Sequence, residues 1–327
     1  MNVLQVEELR KSFRGEISFA KREVLHGVTI YAEAGEILGF LGPNGAGKTT
    51  TIKIILGFAR PDSGLVNVFG RPAGERSVMA RIGYLPENPY FYPHLTLREF
   101  LLFCGRMSGV DDQSLRALLP GTAERVGLSA SLDKRLKGFS KGMLQRAGLA
   151  QTILHDPDLF ILDEPFSGLD PLGRAMVRDL LLELKGRGKT IFFSSHILPD
   201  METLCDRTCI LREGVIVRSI GLDELMNLEK GMVEITVRHC DREAVEAVGD
   251  YVESRLERGE DITLLVKSRE FVRAVVQGLY HYGAEIVRIE PQHATLEEIF
   301  IGEVTGGINA KVVRSREREP VASGRKE

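Results

Sequence analysis

The sequence predicts an α/β domain followed by a smaller α+β domain. Its 327 residues are enough for two modest domains. Continuous apolar runs over Glu36–Leu41 and Leu159–Leu162 have the pattern of parallel strands that are buried on both faces. Towards the C-terminus the pattern becomes strand, helix, strand, strand, helix, strand, which is the order of a split βαβ unit. We therefore place domains at 1–229 and 230–304, followed by a charged tail over 305–327 that we expect to be disordered.

Composition and charge exclude several classes of protein. With 43% hydrophobic and 27% charged residues, wholesale disorder is excluded. The formal net charge of −3 gives no overall electrostatic basis for binding nucleic acid. The four cysteines, Cys104, Cys205, Cys209 and Cys240, lack disulfide or zinc-ligand spacing, which indicates a reducing compartment. No apolar run approaches the ~20 residues that cross a bilayer, and we expect no signal peptide in residues 1–10.

Strands flank a basic and aromatic loop near the N-terminus. They are expected over Asn2–Glu7 and Val24–Tyr31, and the loop between them includes Lys11–Arg22. Later strands are predicted over Leu65–Phe69, Ile82–Leu85, Thr190–Ser194, Thr208–Leu211 and Val215–Ser219. The last two are joined by Arg212-Glu213-Gly214, which favours a hairpin.

A stretch without strand pattern interrupts this order between Thr96 and Leu136. Thr96 is a suitable N-cap, and Glu99 three residues later completes a capping box. We therefore expect a helical insertion over about residues 88–138.

A glycine-rich turn after Glu36–Leu41 carries the clearest chemical pattern. Gly42–Thr49 reads GPNGAGKT and fits G-x-x-x-x-G-K-[ST], and a helix is predicted to follow over Lys48–Phe58. Glycines let backbone amides surround a phosphate, and the helix N-terminus adds partial positive charge. Lys48 would supply a charge for the terminal phosphates and Thr49 a hydroxyl for Mg²⁺. An ordinary glycine-rich turn is the alternative, but it would not need a lysine where the helix dipole disfavours cations.

Two carboxylates follow the strand Leu159–Leu162. Asp163 is suited to contact Mg²⁺, and Glu164 is suited to polarise an attacking water. The alternative is a pair of acids preceding a helix that begins near Pro171. The unbroken apolar strand before the pair disfavours that alternative.

A second helix N-terminus has an unusual charge. Ser140 precedes the helical stretch Leu144–Leu154 and by spacing alone fits an ordinary N-cap. Lys141, however, lies in the first turn, where a cation is unfavourable unless an anion joins it. The pattern therefore leaves open a second phosphate site on the same chain.

With these motifs, residues 3–229 resemble the ATP-binding subunits of ABC transporters. GPNGAGKT resembles the Walker A loop, LFILDE Walker B, and FSKGM followed by LQR the signature motif. Ser167-Gly168-Leu169-Asp170 resembles the D-loop, and His196 in FFSSH resembles the switch histidine, although a histidine capping the next turn is the alternative there. The segment ending in ATLEEIF is similar to the small domain appended to many ABC-2-type exporter ATPases. The resemblance implies an ABC-type P-loop NTPase fold, with a mixed sheet core, an antiparallel β subdomain, the helical insertion and a ferredoxin-like C-terminal domain.

The resemblance also implies roles for individual residues in splitting ATP and water into ADP and phosphate. In this family each ATP lies between the Walker A loop of one subunit and the signature helix of the other. The implied catalytic residues are Lys48, Glu164 and His196, and the implied Mg²⁺ ligands are Thr49, Glu87 and Asp163. The implied nucleotide contacts are Phe13, Gly42, Pro43, Asn44, Gly45, Ala46, Gly47, Lys48, Thr49, Thr50, Ser140, Gly142 and Asp170.

The sequence departs from the commonest family pattern at three places. FSKGM replaces LSGGQ, although Ser140 and Gly142 keep the positions expected to approach phosphate. Glu87 replaces the usual glutamine, and its carboxylate can ligate Mg²⁺ but cannot donate an amide hydrogen bond, a difference that bears on the coupling geometry more than on ATP binding. Phe13 replaces the usual adenine-stacking tyrosine, and Phe19 is a competing candidate for that ring.

The implied partners are a second ATPase subunit, most simply a copy of this chain, and a separately encoded membrane permease of exporter type. The chain would then lie on the cytoplasmic face of the membrane. Tyr90, Phe91 and Tyr92 fall where the family contacts the membrane subunit, and packing beneath the helical insertion is the alternative.

Two other function classes are less consistent with the sequence. An ABC-type ATPase acting on nucleic acid or ribosomes is disfavoured by the acidic charge, the single nucleotide motif and the lack of a long charged heptad insertion. A P-loop GTPase would need an N/T-K-x-D segment, which is not found.

Overall fold

The structure divides the chain after Leu222. The computed structural model describes residues 2–14, 21–227, 229–293, 296–297 and 299–300. Contacts group into one unit over Met1–Leu222 and a second over Asp223–Glu327, a division shortly before the boundary expected at 229/230. Phe19 and the predicted tail over 305–327 lie outside the described residues.

Two sheets and their connecting helices build the first unit. Its elements in chain order are β1 (Asn2–Arg14), β2 (Lys21–Glu33), β3 (Ile37–Leu41), α1 (Lys48–Ile55), β4 (Ser63–Val68), β5 (Arg71–Pro72), α2 (Arg76–Met79), β6 (Ile82–Leu85), α3 (Leu97–Met107), α4 (Asp112–Arg125), α5 (Lys141–Ile153), β7 (Leu159–Asp163), α6 (Pro171–Gly186), β8 (Thr190–Ser195), α7 (Leu198–Leu204), β9 (Arg207–Arg212) and β10 (Val215–Gly221). One sheet is antiparallel, in the order β2-β1-β4-β5. The other has the order β10-β9-β3-β8-β7-β6, with β10 antiparallel to β9 and the remaining pairs parallel. The predicted mixed sheet and antiparallel subdomain are confirmed.

Three buried parallel strands position the candidate site. Every residue of β3, β7 and β8 is buried, which the continuous apolar runs predict for β3 and for Leu159–Leu162 of β7. Leu41 pairs with Ser195, and Asp163 pairs with Ser194. The carboxyl ends of these strands therefore meet at one edge of the sheet, which is where ligands bind in open α/β sheets.

The first two strands are longer than expected, so the prediction of a loop over Lys11–Arg22 was wrong at both of its ends. β1 continues to Arg14 and β2 begins at Lys21, with Phe13 paired to Arg22. Register shifts, including one between Lys11 and Ser12, let the backbone pairing continue through a polar sequence that lacks regular alternation.

Helices replace strands between β6 and α5, as the sequence predicts. The described chain there holds α3 and α4, and its β pairing is an isolated bridge between Thr96 and Arg135. Thr96 caps α3: its hydroxyl accepts a hydrogen bond from the Glu99 amide at 3.2 Å, and Glu99 accepts one from the Thr96 amide at 2.8 Å. The predicted capping box is confirmed.

The second unit contains α8 (Leu222–Asn227), β11 (Glu229–Arg238), α9 (Arg242–Ala247), β12 (Val252–Arg258), β13 (Asp261–Val266), α10 (Val272–His281) and β14 (Glu285–His293). Its sheet has the order β12-β13-β11-β14, and all neighbouring strands are antiparallel. An apolar core joins the sheet to α9 and α10 through Ile235, Leu264, Val245 and Leu279. After β14, residues 296–297 and 299–300 are described, and they are helical.

Two of the cysteines, Cys205 and Cys209, are buried, and burial raises the pKa of both thiols. In the part of the chain that the structure describes, no helix combines the length and apolar character needed to cross a bilayer.

Candidate functional site

A cavity of about 450 Å³ lies at the carboxyl ends of β3 and β7. The predicted site residues that line it are Pro43, Asn44, Gly45, Gly47, Lys48, Thr49, Thr50, Glu87, Asp163 and Glu164. Arg22 and Val24 of β2 also line it. The structure therefore brings the glycine-rich turn, both carboxylates and Glu87 together, as the sequence predicts.

The glycine-rich turn has the backbone shape of a phosphate cradle. Gly45 and Gly47 have φ angles of +82° and +113°, which side-chain-bearing residues rarely adopt. A Cβ at Gly47 would also lie 2.6 Å from Leu25 Cδ2. The turn ends at the N-terminus of α1, so backbone amides and the helix dipole face an incoming anion.

Lys48 is held at the start of α1 by the turn itself. Its Nζ donates to the Gly42 carbonyl at 2.7 Å and lies 3.5 Å from Glu164 Oε1. The side chain is buried, and burying an ammonium is costly unless such partners compensate. Lys48 is thus a buried positive charge beside the cradle.

Asp163 links the glycine-rich helix to the neighbouring strand. Thr49 Oγ1 donates to Asp163 Oδ2 at 2.9 Å, and Ser194 Oγ donates to Oδ1 at 2.5 Å. A hydroxyl beside a carboxylate, with Glu87 in the same cavity, is the oxygen donor set that suits Mg²⁺ with substrate phosphates. Burial, and to a smaller extent the Asp163 charge, raises the pKa of Tyr84 to about 12.

Glu164 has an unusual backbone conformation that turns it into the cavity. Its φ is +51°, and its amide donates to Ser194, to Oγ at 3.1 Å and to the carbonyl at 3.2 Å. Gln145 Nε2 donates to the Glu164 carbonyl at 3.3 Å. A non-glycine residue in this region costs about 1–3 kcal/mol, and such strain clusters at functional sites.

The two carboxylate oxygens of Glu164 have different surroundings. His196 Nδ1 lies 2.9 Å from Oε2. Oε1 is buried and accepts no hydrogen bond from the described residues, although it forms an ion pair with Lys48 Nζ at 3.5 Å. A buried acceptor without a donor, at the wall of a cavity, is suited to take a proton from a bound water.

Ser140, Gly142 and Asp170 do not line the cavity. Ser140 caps α5 by accepting a hydrogen bond from the Met143 amide at 3.2 Å. Asp170 caps α6 by accepting one from the Gly173 amide at 2.8 Å. A Cβ at Gly142 would lie 3.1 Å from the Gly168 carbonyl, so the two loops pack closely together.

Comparison with known proteins identifies the family. The ABC transporter model matches residues 25–167. An uncharacterized ABC transporter ATP-binding protein of Synechocystis sp. is 40% identical over 306 residues, which cover 93% of this chain and 85% of that protein. The chain belongs to the ABC transporter ATP-binding proteins. As an ABC ATPase it is an ATP-binding subunit whose activity is coupled to transport.

Further similarities support this assignment of an ABC ATPase. Nod factor export ATP-binding protein I of Burkholderia lata is 35% identical, with 88% of this chain and 93% of that protein covered. The solved structure of an ATP-binding subunit of an ABC transporter matches with a TM-score of 0.62 and 33% identity. That match covers 69% of this chain and 92% of the solved one.

Aromatic residues of this ABC ATPase separate into two environments. Phe91 is 8% exposed and packs on Phe100, with ring centroids 5.0 Å apart. Tyr90 is 81% exposed, and its ring lies 5.9 Å from that of Tyr92. Phe13 is exposed, and Lys11 Nζ lies 5.3 Å from its ring centroid.

Some site residues of the ABC ATPase were missed by the sequence analysis. Ser194 bonds both Asp163 and Glu164, and Gln145 holds the Glu164 backbone. The paired serines at the end of a predicted strand were a usable signal for Ser194, because carboxyl ends of parallel strands meet at one edge. Arg22 carried no such signal, since the sequence places it in a loop.

Proposed function

We propose that two copies of this chain close around MgATP and that hydrolysis there powers export through a membrane permease. One observation carries the proposal: among the described residues, the N-terminal regions of α1 and α5 are both suited to phosphate, and of these two only that of α1 lines the cavity. Ser140 and Gly142 lie at the start of α5, outside that cavity. A second copy would bring its α5 N-terminus to the exposed side of the nucleotide.

Mg²⁺ would be held by Thr49 and Asp163, with Glu87 as a further ligand, direct or through water. The oxygen donors present fit that ion. When bound, it neutralises charge on the phosphate oxygens. The hydrogen bond from Ser194 supports this role, because it would keep the Asp163 carboxylate in a fixed orientation.

Glu164 would accept the proton from water during attack on the γ-phosphorus. The bond between that phosphorus and the β,γ-bridging oxygen breaks, ADP leaves with the electron pair, and the water oxygen becomes part of phosphate. Glu164 Oε1 is the proposed proton acceptor because it is buried and lacks a donor among the described residues. His196 holds the other oxygen, so Glu164 keeps its orientation.

Lys48 would exchange partners when nucleotide binds. Its Nζ now donates to the Gly42 carbonyl and lies near Glu164. Contact with the terminal phosphates gives the ammonium a stronger anionic partner than the carbonyl. Moving away from Oε1 would also leave that atom free for water.

Export, rather than import, is supported by the Nod factor export relative. An exposed apolar surface formed by Tyr90, Tyr92, Phe103 and Met107 supports contact with a permease, because aromatic residues and methionine are enriched at interfaces. Rings of Tyr92 and Phe103 lie 5.8 Å apart in this surface. The chain would then act at the cytoplasmic face of the membrane.

The second unit is proposed to be the ferredoxin-like domain appended to exporter ATPases. Its element order and its antiparallel sheet order β12-β13-β11-β14 support that assignment. Removing residues 231–327 should leave a folded ATPase. Loss of the cooperative unfolding transition of the remaining chain would contradict this division.

The dependence of ATP turnover on chain concentration tests the proposed function. If the site needs two chains, turnover per chain should rise with concentration until the dimer is populated. Lys48→Ala should abolish turnover at every concentration. Turnover per chain that is constant across the whole range would contradict a shared site.

A further inference from the structure

Strand β2 forms a wall of the cavity that no predicted motif includes. Arg22 and Val24 both line the cavity, so both side chains lie on its side of β2. Phe13 is the direct partner of Arg22 in the β1–β2 pairing, so its ring lies on that face too. The wall therefore combines the Arg22 cation with the apolar side chain of Val24, and the Phe13 ring lies beside the wall rather than in the cavity lining.

Arg22 is one of the few positive charges that line the cavity. The described residues lining it include three carboxylates, Glu87, Asp163 and Glu164, but only two cations, Arg22 and Lys48. Lys48 already has partners in the Gly42 carbonyl and Glu164. A polyphosphate with four negative charges would gain from a second side-chain cation.

Arg22 differs from its neighbours in having no competing anion among the described side chains. Lys21 Nζ lies 3.2 Å from Asp62, and Glu23 lies 3.2 Å from Arg10. Arg22 makes no ion pair or hydrogen bond with the described part of the chain and is exposed to solvent. Its guanidinium is thus free of those partners when an anion enters the cavity.

We infer that Arg22 is a nucleotide-binding residue whose guanidinium contacts the phosphate chain of ATP. This rests on the proposed function, in which ATP occupies the cavity. A guanidinium presents paired N–H donors that match phosphate oxygens, so arginine suits this contact better than a point charge. The adenine base would contact Phe13 and Val24 instead, so the contact between Arg22 and phosphate would not depend on the identity of the base.

Binding titrations with three nucleotides test this assignment. Arg22→Ala should raise the dissociation constant for MgATP about tenfold or more, the effect expected from a charge-assisted hydrogen bond. The dissociation constant for MgGTP should rise by a similar factor, because the lost contact is to phosphate. The binding of AMP should weaken by a smaller factor. The dissociation constant of Arg22→Lys for MgATP should lie between those of the parent and of Arg22→Ala.

Lys21→Ala is the matched control, because Lys21 is the adjacent cation, points to the other face and pairs with Asp62. It should bind all three nucleotides like the parent. Unchanged MgATP binding by Arg22→Ala would overturn the inference while leaving the proposed function intact. A loss confined to adenine nucleotides would also overturn it, since that result assigns the contact to the base. Failure of the parent chain itself to bind MgATP would overturn the proposed function as well.

Discussion

The Nδ1 atom of His196 lies 2.9 Å from Oε2 of Glu164, which joins the loops after β8 and β7. Because an ionised carboxylate only accepts hydrogen bonds, Nδ1 donates and the imidazole holds Glu164 by one oxygen. The other oxygen, Oε1, remains without a hydrogen bond from the described residues. The pair therefore holds one carboxylate oxygen and leaves the second for chemistry.

His196→Ala should lower ATP turnover by about 100-fold or more, because Glu164 loses the donor that orients it. MgATP binding should change little. Turnover under saturating MgATP and a separate binding titration measure the two effects. The control is His239→Ala, which removes an exposed histidine that also lies near a glutamate, with Nδ1 3.7 Å from Glu285. Parental turnover of His196→Ala would show that His196 does not position Glu164.

Asp163→Asn should raise the Mg²⁺ concentration needed for half-maximal turnover about tenfold, because a neutral amide is a weaker ligand than a carboxylate. The substitution keeps the side-chain shape, and its amide oxygen can still accept one of the two hydrogen bonds that Thr49 and Ser194 donate to Asp163. A magnesium titration of ATPase activity provides the measurement. Asp158→Asn, at an exposed ion pair with Arg81, is the control and should not alter the titration. An unshifted Mg²⁺ dependence in Asp163→Asn would argue against Asp163 as a ligand.

Ser140→Arg should abolish ATP-driven dimerisation while nucleotide binding to the single chain persists. A bulky cation at the start of α5 would block its approach to a nucleotide held by another copy. Sedimentation with MgATP and a binding titration separate the two properties. Ser108→Arg places the same side chain at the exposed C-terminal end of α3 and should dimerise normally. Normal dimerisation of Ser140→Arg would count against the shared site.

Tyr90→Ala and Phe91→Ala should have opposite consequences. Phe91 is buried against Phe100, so its truncation should lower the free energy of unfolding by about 3–5 kcal/mol. Tyr90 is exposed, so its truncation should leave stability within about 0.5 kcal/mol but weaken capture of the membrane permease. Urea unfolding and co-purification measure these effects. Undiminished permease capture by Tyr90→Ala would remove the support for this contact surface.

Local sequence was sufficient for the parts of the site that lie within one segment. The glycine-rich turn, Asp163 and Glu164 follow directly from apolar strands, so their positions could be predicted. The role of Ser194 depends on β8 lying between β3 and β7, which is tertiary information. Arg22 was missed because backbone pairing extends β1 and β2 through a polar segment without alternation.

The burial of Tyr90, Phe91 and Tyr92 also could not be predicted from local sequence. Three consecutive rings gave no reason to separate Phe91 from Tyr90 and Tyr92. Phe91 packs on Phe100 of α3, a tertiary contact that the local sequence does not reveal. Burial of single residues within an irregular segment is set by such distant contacts rather than by local pattern.

The oligomeric state of Glu164→Gln with saturating MgATP tests the shared ATP site most directly. The amide cannot accept the proton from water, so ATP should stay intact and hold two chains together. Light scattering after size-exclusion chromatography should give twice the chain mass with MgATP and the single mass without nucleotide. Glu87→Gln is a matched control. It should trap less of the ATP-bound dimer, because Glu164 remains to accept the proton from water. A Glu164→Gln chain that binds MgATP yet stays at single mass up to high concentration would contradict the shared site.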